Sequence, residues 1–169
     1  KEHVLHVASQ ADLELMLKAG DSLNVTENYY IDAGLVLTGY GHSYGHAFNE
    51  YFTNLLAQEI KTRTGKELQY TLLLHLNDVH IAVDAESSYG LVFKPNKDAQ
   101  PLHASILNES GQFTSEQIDE STGLPHEVGT EGDRTLYSNV GGLSWLYLDR
   151  DRGLLARGDD LAYSYGDGR

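Results

Sequence analysis

The sequence has no cysteine, one methionine, one tryptophan and three prolines in 169 residues. Without cysteine there can be no disulfide, no thiolate metal site and no cysteine nucleophile. Basic residues are also scarce: 12 Lys and Arg stand against 25 Asp and Glu, a formal net charge of −13. Phosphate contacts need clustered cations, so nucleic acid is not an expected partner. No apolar run approaches the roughly 18 residues of a membrane span, and no membrane insertion is expected. The chain opens at Lys1 without a signal-peptide pattern, so a targeting segment is absent or already removed. An acidic chain of this length is expected to form a single domain over 1–169 with a sizeable core.

The strongest local pattern runs from Ala33 to Gly65. A short apolar run, Leu35-Val36-Leu37, suits a buried strand. A glycine-rich turn over 39–45 follows. Then Phe48, Phe52, Leu55, Leu56 and Ile60 recur at helical spacing, and Gly65 stands where a left-handed cap would end the helix. This predicts one long helix over about 46–62. A short helix is predicted over about 9–19, with Ser9 and Asp12 as an N-terminal capping pair and Leu13, Met16 and Leu17 as its apolar stripe.

Strand signals surround these helices. Val4–Val7 and 23–31 read as extended. In 69–83, Leu72, Leu74 and Leu76 alternate before the phase changes to Val79, Ile81 and Val83, which predicts a bulge or turn at Asn77-Asp78. Asp84–Ser88 reads as a hairpin loop, and Ser144–Leu148 with Gly153–Arg157 as a second hairpin. Leu161–Tyr165 adds a last strand candidate. Three segments share one plan: Ile31-Asp32 to Gly34-Leu35, Val83-Asp84 to Gly90-Leu91, and Leu148-Asp149 to Gly153-Leu154. Each is a strand ending in Asp, a turn, and a strand opening on Gly-Leu. The stretch from about 96 to 134 is polar and aperiodic and is predicted to be a long loop region, mobile or ligand-facing, with one short helix capped by Thr114 and Gln117. The expected fold is α+β: a mixed or antiparallel sheet of hairpins packed against the long helix and the short one.

Four constellations bear on function. Gly41-His42-Ser43-Tyr44-Gly45 resembles the G-x-S-x-G elbow of serine α/β-hydrolases. That resemblance implies Ser43 as nucleophile, with an acid from Asp84 or Asp98 and a base from His103 or His126. The hydrolase alternative rests on Ser43, Asp84 and His126. In the same stretch, His42, His46 and Glu50 are four apart and would share a helix face suited to zinc. Leu73 to His80 resembles the first metal-binding segment of calcineurin-type metallophosphoesterases, which implies Asp78 and His80 as ligands in a two-metal site. Finally, Asp149, Asp151, Asp159 and Asp160 gather on glycine-containing turns, where hard oxygen ligands would suit Ca²⁺; the competing reading is plain charged hairpin ends.

Eleven tyrosines against four phenylalanines is an unusual ratio. Tyrosine joins apolar area to a polar tip and is favoured at recognition surfaces. Tyr29, Tyr30, Tyr40, Tyr44, Tyr163 and Tyr165 fall near predicted turns or exposed strand ends. Each catalytic motif lacks its usual companions. The composition therefore favours a non-catalytic, acidic binding or adhesion-type module of an extracellular or surface assembly. Ca²⁺ is its candidate cofactor, and its partner would be a protein or carbohydrate held by a loop and tyrosine surface.

Overall fold

The computed structural model describes residues 7–20, 31–38, 47–65, 71–86, 90–141, 143–149 and 152–157, with backbone alone at 32, 47–53 and 64. The described elements in chain order are α1 (Gln10–Lys18), β1 (Ile31–Leu37), α2 (Ala47–Thr64), β2 (Leu72–His75), β3 (Val79–Val83), β4 (Leu91–Pro95), β5 (Leu102–His103), β6 (Gly111–Phe113), β7 (Arg134–Asn139), β8 (Leu143–Leu148) and β9 (Leu154–Arg157). Seven strands form one sheet in the order β5-β2-β1-β8-β9-β7-β6, while β3 and β4 pair separately. Every pairing is antiparallel except β7 with β9.

This architecture corrects the α+β expectation. Among the described residues the fold is mostly sheet, curled into a half-barrel with a two-stranded ribbon beside it and two helices; it is not a sheet packed against one long helix. The reason lies in the two faces of the large sheet. Alternation along each strand sends Val36, Leu73, Leu136, Leu146, Leu148, Leu154 and Ala156 to one face. There they meet Leu13 of α1 together with Leu107, Phe113 and Leu124 from the stretch between β5 and β7. The other face carries Leu35, Leu37, Leu72, Leu74 and Leu143, which pack with Val92 of β4 and with Leu56 and Ile60 of α2. The long helix therefore covers part of one face, and most of the buried apolar surface belongs to strands.

The stretch read as a polar loop supplies much of the first core. It holds β5, β6 and 3-10 turns at Ser105–Asn108 and Ser115–Gln117. Leu107 and Phe113 are completely buried within it. Thr114 and Gln117 form a capping box, with the Thr114 N–H donating to Gln117 Oε1 at 2.7 Å.

Helix α1 starts as its sequence predicts: Ser9 and Asp12 cap each other, with Ser9 N–H to Asp12 Oδ2 at 2.9 Å. Its buried face differs from the predicted stripe. Gln10, Leu13 and Glu14 are inside, while Leu15 and Met16 are 51% and 41% exposed. A carboxylate goes inside because a buried arginine meets it there. The predicted break at Asn77-Asp78 is a 3-10 turn over Leu76–Asp78, after which β3 leaves the large sheet.

Candidate functional site

Beyond the part of the second face covered by α2 and β4, strand register lines up a row of large side chains. Tyr137 of β7 lies opposite Leu155 of β9, and Leu155 lies opposite Tyr147 of β8. The next row on the same face reads Asn139, Arg157 and Trp145. Trp145 stacks on Tyr147 with centroids 6.4 Å apart and planes at 29°, and Phe93 of β4 meets Trp145 edge-on at 5.9 Å. Tyr137 is 49% exposed, and Trp145, Tyr147 and Leu155 are half-buried. The alternate residues Leu136, Leu146 and Leu154 are wholly buried beneath them, which fixes the three strands and so the spacing of the aromatic groups. Such a surface offers broad apolar area at low conformational cost, with polar groups of Asn139 and Arg157 along one edge.

A second concavity of about 390 Å³ lies over α1, between Leu15 and Lys18 on one wall and Ser115, Ile118 and Glu120 on the other. Glu14, Lys18 and Glu120 already have partners. Glu14, at its base, receives two bonds from the Arg134 guanidinium, Nη1 to Oε2 at 2.8 Å and Nη2 to Oε1 at 2.7 Å. Arg134 also donates from Nε to the Arg152 carbonyl at 2.8 Å and lies 4.7 Å from the Phe113 ring centroid. At the mouth, Lys18 donates to Glu120. That hydrogen bond raises the Lys18 pKa and lowers that of Glu120. These contacts brace the fold.

The residues singled out in the sequence fall in several places. Ser43, His42, His46 and the six tyrosines at 29, 30, 40, 44, 163 and 165 lie outside the described residues, as does the side chain of Glu50. Asp84 is in the β3–β4 turn, where its Oδ1 accepts from the Glu86 N–H at 2.9 Å. His126 is exposed in the 114–129 segment, its N–H bonded to the Gln117 carbonyl, and the carboxylate that feels its charge is Asp119.

Asp78 and His80 flank the start of β3, where Asn96 ties them into one knot. The Asn96 N–H donates to the Asp78 carbonyl at 2.7 Å, and Asn96 Oδ1 lies 2.8 Å from His80 Nδ1. Asn96 Nδ2 donates to the Asn77 carbonyl, so the knot fastens the base of the ribbon. Asp149 closes the β8–β9 turn by accepting from the Gly153 N–H at 2.7 Å. Asp151, Asp159 and Asp160 lie outside the described residues, and among the described ones no three metal-ligating side chains converge.

The aromatic rows were not legible as a unit, because register across three strands assembles them and no local spacing does. An alternation of Thr135, Tyr137 and Asn139 was their one sequence trace. No protein family, no curated protein and no solved structure matches the chain.

Proposed function

We propose that this chain is a non-catalytic, acidic binding module of an extracellular or surface assembly that holds a protein or carbohydrate ligand on the β7–β9–β8 face. The supporting observation is the cross-strand row of Tyr137, Leu155 and Tyr147 beside Trp145, with Tyr137 exposed and the other three half-buried, on strands whose opposite sides are locked in the core. A pyranose ring or an apolar side chain stacks on such rings, and Asn139 and Arg157 supply polar contacts at the edge. The excess of tyrosine and the acidic, cysteine-free composition agree with this reading.

Trp145 is the one tryptophan of the chain, so tryptophan emission, excited selectively over the eleven tyrosines, reports on this face. Titration with neutral oligosaccharides and with aromatic-rich peptides is expected to shift or quench Trp145 emission saturably, and Tyr137→Ala is expected to weaken the response. A flat emission across both ligand classes, or a response that Tyr137→Ala leaves intact, overturns the proposal.

A further inference from the structure

Toward its turn, the β3–β4 ribbon carries exposed apolar side chains. Val83 is 85% exposed, Ile81 63% and Leu91 47%. Val83 lies directly opposite Leu91, and Ile81 stands two residues before Val83 on the same face. The row continues through Phe93, opposite Ile81, to its edge contact with Trp145. The other side of the ribbon is anchored by Val92, which is buried against α2 and the large sheet. The patch is held rigidly, for Arg63 at the end of α2 donates to the Pro95 and Asn96 carbonyls and the Asn96 knot closes the ribbon's base.

An exposed apolar pair on a two-stranded ribbon is a docking surface unless charge guards it. Here acidic residues stand beside the pair in the chain: Asp84 follows Val83 directly and Glu86 is exposed in the same turn. The basic pair of the ribbon, His80 and Lys94, lies in register on the opposite face. A second copy of the chain brings another −13 charges, and so does not complement this surface. An apolar segment flanked by lysine or arginine does so on both counts.

We infer that the Ile81–Val83–Leu91 face docks a partner protein through a segment that is apolar on one side and lysine- or arginine-rich around it. This surface borders the aromatic rows at the Phe93–Trp145 contact, and Tyr137, two strands from Trp145, serves to separate the two.

The test uses the intact chain and a peptide alternating leucine with lysine, with a leucine–glutamate peptide and neutral phosphatidylcholine vesicles as comparisons. The leucine–lysine peptide is expected to bind, and Ile81→Ser with Val83→Ser to weaken it by about tenfold or more. Raising salt from about 50 to about 500 mM is expected to weaken it further by screening. Tyr137→Ala is expected to leave this binding unchanged. Equal binding to the double-serine variant reduces the effect to bulk attraction for an acidic chain and overturns the inference. No binding, equal binding of the glutamate peptide or the vesicles, or self-association lost in the double-serine variant overturns it as well.

Discussion

Glu14 and Arg134, 120 residues apart in the chain, meet in a two-pronged ion pair from which water is excluded. Gln10 Nε2 donates to the same Glu14 Oε1 at 2.9 Å and to the Gly123 carbonyl at 3.2 Å, so the pair ties α1 to both β7 and the turn before Leu124. Removing one partner leaves the other charged and buried. Glu14→Ala and Arg134→Ala are each expected to cost about 3–5 kcal/mol in urea unfolding. Glu14→Ala with Arg134→Ala in one chain is expected to cost much less than the two single changes added together. Additive costs in that cycle would show that the two side chains act independently.

Gly123 has a left-handed backbone, φ +72°, and a Cβ there would lie 2.5 Å from the Gln10 carbonyl carbon and 2.6 Å from the Ala11 nitrogen. Gly20 has nearly the same φ, +75°, with open space around it. Gly20→Ala is therefore expected to show the backbone cost alone, about 1–3 kcal/mol. Gly123→Ala adds a clash with main chain that cannot swing aside, and is expected to unfold the protein at clearly lower urea than Gly20→Ala.

Asp119 accepts from the Ser121 hydroxyl, the Ser121 N–H and the Thr122 N–H. The Ser121 side-chain bond is the largest cause holding its carboxyl below the ordinary carboxylate range. A lowered folded pKa means that the contribution is present above the unfolded value of about 4 and fades as pH falls through the folded value. Melting temperature is expected to drop as pH falls below about 4, and Asp119→Asn is expected to flatten part of that decline. An unchanged acid limb in Asp119→Asn would assign the decline to other carboxylates.

The Asp149 bond to the Gly153 N–H needs no cation. Asp149→Ala is expected to lower the melting temperature in EDTA, where any Ca²⁺ effect is absent. A melting rise specific to Ca²⁺ over Mg²⁺ in the parent chain, lost on Asp149→Ala or Asp151→Ala, would place a cation on the acidic turns. Equal melting in EDTA, Ca²⁺ and Mg²⁺ would leave the carboxylate to its turn.

Both helices were legible near their observed bounds, because capping pairs and helical periodicity are local signals. Two of the three Asp-to-Gly-Leu segments are true hairpins, at 83–91 and 148–154. The third is a register shift inside β1 between Asp32 and Gly34. A Cβ at Gly34 would lie 2.7 Å from the Leu74 carbonyl, so this glycine serves strand contact and not a turn. Strand β7 escaped notice because its inward face presents Arg134, Leu136 and Ser138, a single apolar residue among three. Arg134 reads as a surface residue until its partner on α1 is known. The dominance of sheet over helix was hidden for the same reason: its short or polar strands join through register, which no window of sequence contains.

Strand β9 lies between β7 and β8, although β7 and β8 are joined by only three residues, 140–142. During synthesis, β7 and β8 therefore emerge as near neighbours that must not zip together. A direct β7–β8 hairpin would occupy the slot that β9 needs. Until Leu154–Arg157 leaves the ribosome, β5-β2-β1-β8 and β7-β6 are two separate half-sheets with exposed edges, and the parallel β7–β9 register is the junction that makes them one. Assembly is thus committed late and depends on contacts distant in sequence, a topology of the kind that slows folding and leaves strand edges open to mispairing.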